Sequence, residues 1–242
     1  ALHPALRRQR QMCIRDRGMG MAFTHQYRFA AAESVSKDKV PRAISIILLG
    51  GIVSAFIGPS VANFSRDLFS NHMYIGSYLS LAALTFLPTI FFLFYKNTSK
   101  IELSFKYSGR SYFELVSQPR FLQAVISSAF GYAIMTFLMT GTPLSMHVIE
   151  GISLNKTSIV IQIHVACMFL PSLIAGNLVK KIGHSKMMYV GVGLYCITVV
   201  ISLFDQSFLN YMLALVFLGF GWNFLFISGT SLLVLTYKEE EK

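Results

Sequence analysis

Arg28 is the only lysine or arginine inside an apolar run of this sequence, seven residues before the end of that run near Val35. At 1.5 Å per residue this places it about 10 Å along a helix, where a charge must pair or face water. A planar guanidinium suits an anion held by two parallel hydrogen bonds, and His25 adds a donor one turn earlier on the same face. The alternative is a helix that ends nearer Ala32 and lets Arg28 snorkel to the headgroups beside Glu33. A second set, Ser128, Tyr132, Thr136, Thr140, Pro143 and His147, recurs at steps of three and four, which puts these residues on one helical face. Single hydroxyls in membrane helices often only bond back to their own backbone, but five successive steps argue for a face that meets something polar. Trp222 and Asn223, with Phe226 and Thr230 one and two turns on, suit stacking on a flat or apolar solute; helix packing is the competing use.

The remaining reactive groups do not combine. Gln162 and His164 are two apart and point to different faces, and a lone buried histidine is usually a packing residue. Glu33 and Glu150 fall at the ends of apolar runs, where solvation or capping is the default, and no Asp or Glu falls in the middle of one. Cys13, Cys167, Cys196 and the six histidines show no zinc spacing and no disulfide framework. With no Ser/His/Asp set and no phosphate-binding glycine loop, neither an enzyme nor a cofactor or metal centre is expected.

The elements that must carry these residues are membrane helices. The 242 residues are 54% apolar and 13% charged, with 21 phenylalanines, a composition for lipid and not for a soluble domain. Apolar runs of membrane length predict a partial helix over 18–35 and spans over 43–64, 73–95, 121–146, 157–179, 187–204 and 208–236. The formal charge of +10 comes from loops. Alternate gaps hold thirteen Lys and Arg against two in the others, so the 96–120 linker and the Lys180–Lys186 loop are expected in the cytoplasm. This loop bias also argues against a nucleic-acid-binding face. The arginine-rich residues 1–17 resemble nothing after them; they are read as a sequencing or assembly artefact and set aside. Gly18-Met-Gly20-Met-Ala-Phe23 recurs as Gly219-Phe-Gly221-Trp-Asn-Phe224, six helices later, the spacing of two parallel six-helix repeats.

Two motifs then resemble the major facilitator superfamily. Gly176-Asn-Leu-Val-Lys-Lys181-Ile-Gly183-His-Ser-Lys186 is similar to the family's loop signature after the second helix of each half. Lys180 replaces the signature's acid, and His184 and Ser185 replace a basic pair, which removes the acid that a gating ion pair would use here. Gly50-Gly51, followed by Gly58-Pro59, resembles the glycine–proline signature of the family's antiporters, with Ala62-Asn63 in place of its trailing glycines. The resemblance covers the chain after Arg17. It implies an all-α polytopic bundle, part of a twelve-helix, two-half (6+6) fold, with 18–95 as the end of the N-terminal half (helices four to six) and 121–242 as helices seven to ten.

On that reading helices one to three, eleven and twelve lie outside this sequence. Within the family the chain resembles bacterial exporters and metabolite carriers and, less closely, vitamin uptake carriers of alphaproteobacteria. The resemblance implies a multi-pass protein of the bacterial inner membrane that moves a drug, metabolite or vitamin by alternating access, coupled to protons or another ion. It puts Arg28, His25, Tyr132, Thr136, Thr140, Trp222 and Asn223 at the central cavity. Gly51, Gly58, Pro59, Gly176, Lys181 and Gly183 carry the structural motifs. A seven-helix receptor or retinal protein is the rival, but the last helix lacks the lysine a retinal Schiff base needs.

Overall fold

A computed structural model describes residues 26–65, 67–69, 75–92 and 110–237. Among these residues every regular element is helical. In chain order they are α1 (residues 26–33), a 3-10 turn at Lys37–Lys39, α2 (Val40–Ser65), α3 (Ile75–Phe92), the short α4 (Tyr112–Val116), α5 (Pro119–Leu144), a π turn at Ser145–Ile149, α6 (Leu154–Phe169), α7 (Ser172–Ile182), α8 (His184–Ser202) and α9 (Phe208–Val234). Where their ends fall among the described residues, the spans expected from the apolar runs appear within a few residues of the predicted bounds; the start of the 18–35 run and both ends of the 73–95 run lie outside them. The run expected as one span over 157–179 does form one membrane-length segment, Asn155–Ile182, but its helical ladder is interrupted at Leu170–Pro171, which divides it into α6 and α7. Pro171 has no N–H to continue the ladder and its ring crowds the preceding turn.

Local chemistry fixes several ends. Pro119 starts α5 where a missing N–H costs nothing. The Ser153 and Ser207 hydroxyls accept from the amides of Lys156 and Asn210 at the starts of α6 and α9. Gly183 sits between α7 and α8 at φ 88°, a left-handed position that a side chain would strain.

The bundle is organised around α9. Of its most apolar stretch 67% is buried, against 17% for the Pro119–Ile149 segment. Three glycines let three neighbours reach its backbone. A Cβ on Gly219 would lie 3.0 Å from the His164 carbonyl oxygen of α6, one on Gly221 3.0 Å from Gly191 O of α8, and one on Gly229 2.8 Å from Ala124 O of α5. Such small-residue contacts, together with interhelical hydrogen bonds, replace the hydrophobic drive that lipid does not supply. Those bonds include Ser127 Oγ to Leu225 O (3.3 Å), Thr198 Oγ1 to Ala214 O (3.2 Å) and, between α8 and α5, Tyr195 Oη to Gly131 O (2.6 Å). Each is worth about 0.6 kcal/mol in a membrane.

The N-terminal elements join this bundle through α2. Val40 and Ile44 pack with Ala175, Val179, Met187 and Ile227, all fully or nearly fully buried. A Cβ on Gly176 of α7 would lie 2.8 Å from the Arg42 Cα, so the start of α2 and the middle of α7 are in backbone contact.

Candidate functional site

The helices bring four rings together. Trp222 and Phe226, one turn apart on α9, stack with centroids 4.6 Å apart and planes at 19°. Tyr132 of α5 lies 6.3 Å from each of them. Phe169, the last residue of α6, meets Trp222 edge-on at 5.8 Å and 85°. The Arg28 guanidinium, carried by α1, lies over the Phe226 ring at 4.3 Å and over Phe29 at 4.9 Å. It therefore points into the bundle, against aromatic faces, and not out to headgroups. A cation held over a ring in a desolvated place is worth about 2 kcal/mol, and this contact joins elements nearly two hundred residues apart.

Of the residues that the sequence marked, Arg28, Tyr132, Trp222 and Phe226 meet here. Trp222 Nε1 and Thr230 Oγ1 are buried and have no hydrogen-bond partner among the described residues. Asn223 does not join them. It is fully buried on another face of α9, where its amide nitrogen donates to Met168 O and Ser172 Oγ, both at 2.7 Å. These acceptors flank the α6–α7 break, and a neighbouring side chain that satisfies backbone at a break is what lipid demands. Its Oδ1 has no partner among the described residues. Asn223 thus faces away from the ring cluster, because the next residue along a helix is turned by about 100°. The polar stripe of α5 also divides. Ser128 packs on Gly229, Thr136 and Thr140 are exposed, and His147 is exposed with Nδ1 3.0 Å from Ile152 O. His25 lies outside the described residues, as do the first copy of the internal repeat and residues 1–17.

Phe169 is the residue that sequence reasoning missed. Besides meeting Trp222, its ring occupies the notch at Gly51 of α2, where an added Cβ would be 2.6 Å away. Its position just before the proline of a membrane helix was the available signal. A Cβ at Gly58 would touch nothing within 4 Å, so the two motif glycines of α2 have different surroundings. The α2 backbone stays helical through Pro59. At the basic end of the bundle Lys180 Nζ lies 3.5 Å from Asp38 Oδ2. The acid absent from the loop signature thus has a counterpart on another segment, with the charges exchanged. Lys181 is exposed beside this pair.

Among the described residues five segments, with α6 and α7 together counting as one over Asn155–Ile182, are long and apolar enough to cross a membrane, and with the ring cluster between them they define a multi-pass helical membrane protein. The Major Facilitator Superfamily profile matches residues 18–242, and the chain belongs to that family. Membership implies a twelve-helix fold in two halves. The chain is 35% identical over 227 residues to the riboflavin transporter RfnT of Brucella anthropi, covering 93% of this chain and 57% of that protein. It is 28% identical to two Bacillus subtilis proteins, described as uncharacterized MFS-type transporters YddS and YdeG, covering 90% of this chain and 53% and 54% of theirs. The chain thus spans a little over half the length of these relatives. No solved structure gives a significant match.

Proposed function

We propose that this chain works as part of a twelve-helix secondary transporter that carries a flat heteroaromatic metabolite, with riboflavin the first solute to test. In this reading α1–α3 close the N-terminal half, residues 96–120 form a cytoplasmic linker, and α5–α9 open the C-terminal half as helices seven to ten. The carrying observation is the stack of Trp222 and Phe226 with the Arg28 guanidinium laid over it from the other half. An isoalloxazine is planar, binds through its ring faces and presents carbonyl oxygens within reach of a guanidinium. The name of the Brucella relative supports the choice of solute. Alternating access would rock the two halves about this layer. The Asp38–Lys180 contact and the close approach of Gly176 to Arg42 fit a state shut at the basic, cytoplasmic end. The expected setting is a bacterial inner membrane.

Antiport out of the cell is the second reading, favoured by the glycine–proline pattern of α2. Its one structural support is the notch at Gly51 that receives Phe169, a seam that import would need equally. Flavin binding to the purified, complete carrier tests the solute. Riboflavin fluorescence is quenched by stacking on an indole, and Trp222→Leu is expected to lower affinity at least about tenfold, or about 1.4 kcal/mol. Equal affinity in the variant would remove the stack from the site.

A further inference from the structure

His164 is fully buried in α6 and takes no part in the ring cluster. It lies ten residues from the start of α6 at Leu154, which is about 15 Å or half of a membrane core about 30 Å thick. Its Nδ1 is 2.7 Å from Leu215 O of α9. A carbonyl can only accept, so Nδ1 carries the hydrogen and Nε2 of the neutral ring presents a lone pair. That Nε2 has no hydrogen-bond partner among the described residues. A clamp between α6 and α9 needs only the Nδ1 donor, which a hydroxyl could supply without leaving a second ring nitrogen unsatisfied.

Among the described residues the elements packed on α6 bring no carboxylate to it, and the phenol of Tyr211 on α9 is engaged with Ser145 Oγ at 2.7 Å. From Phe208 to Val234 α9 has no Asp, Glu, Lys, Arg or His; α2 has none after Arg42, and α5 has none after Arg120. The π turn brings only His147, which is exposed and turned to Ile152 O. On its own helix the titratable neighbours are Cys167 and Lys156, whose ammonium lies 5.9 Å from the Phe208 ring centre. The lysines of α7, Lys180 and Lys181, are at the opposite, basic end. Arg28 is across the cluster over Phe226.

We propose that His164 is the proton-binding site of the transport cycle, taking one proton on Nε2 while Nδ1–H stays on Leu215. Binding converts neutral imidazole to imidazolium, and release returns the same proton, so no other reactant is needed. A sealed imidazolium with no carboxylate among its described neighbours is costly. The proton can therefore reside there only in a state in which the α6–α9 seam is wetted, and that ties protonation to conformation. The link to solute is direct, because α6 also carries Phe169 and α9 carries Trp222, which touch.

This inference rests on the transport reading, and its test separates the two. Asn in place of His164 keeps a donor for Leu215 and removes the basic nitrogen. Proteoliposomes with the complete carrier or its His164→Asn variant receive labelled riboflavin and a gradient of about one pH unit, which sustains at most about tenfold accumulation for one proton per solute. The wild type is expected to accumulate label, and the variant to equilibrate it while retaining solute exchange without a gradient. Accumulation by the variant equal to wild type overturns the proton role, as does a wild type that equilibrates label indifferently to the gradient. A second readout needs no solute and no variant that transports. Nitrogen NMR of histidine-labelled carrier, assigned against His164→Gln, should show the His164 ring gaining a proton as the pH is lowered across the range in which the carrier stays folded. A ring fixed as the Nδ1–H tautomer across that range overturns the site, whereas a titrating ring in a carrier that ignores riboflavin counts against the solute alone.

Discussion

Trp222 and Asn223 are adjacent on one helix and almost equally buried, yet they stand in two different regions. Both amide hydrogens of Asn223 are committed to Met168 O and Ser172 Oγ across the α6–α7 break. Trp222 meets three other rings, and its Nε1 bonds to nothing among the described residues. One face of α9 is therefore held by directional bonds that fix helix against helix. The other is held by stacked and edge-on ring contacts, whose faces and edges a flat ligand can also use. Burial does not distinguish the two; what the polar atoms are bonded to does.

The sharpest way to break this comparison is Asn223→Leu. It leaves two buried acceptors at a helix break without their donor, and the complete carrier should lose about 2–3 kcal/mol of stability. Thermal unfolding in detergent measures this, and flavin affinity of the folded fraction should stay within about twofold of wild type. A large loss of affinity without a loss of stability would put Asn223 on the solute side. Next in size is Phe226→Leu, which keeps an apolar filler but removes the stack and the seat of Arg28. Affinity should fall about tenfold, near 1.4 kcal/mol, and unfolding should shift down by about 2 kcal/mol as the cation–ring contact is lost; titration of flavin fluorescence and thermal unfolding decide it. The smallest effect is expected from Arg28→Lys, which keeps a cation over the ring and loses only the planar fork. A drop of about fivefold, near 1 kcal/mol, is expected, and an unchanged binding curve would reduce Arg28 to a charge that steadies Phe226.

Much of the architecture is legible in one dimension. Length and apolarity of the runs place the helices because a span needs about twenty apolar residues whatever its neighbours are. The loop motif is legible too, since Gly183 must adopt a left-handed turn and Gly176 must admit the α2 backbone, demands that only glycine meets. Arg28 stood out because a cation in an apolar run must be answered by something. The break at Pro171 was also written in the chain, although a hydropathy count, which ignores the missing N–H, reads across it.

What answers Arg28 was decided only by the tertiary structure, and so was the separation of Trp222 from Asn223. Helical periodicity says which residues share a face, but each face of α9 is covered by a different helix, and the covering helix is chosen by contacts remote in sequence. Phe169 gains its place from a notch at Gly51 more than a hundred residues earlier, and Lys180 gains its partner from Asp38. The orphaned Nε2 of His164 has the same origin. A sequence fixes how many hydrogen bonds a side chain can make, and only the packed neighbours determine how many it does make.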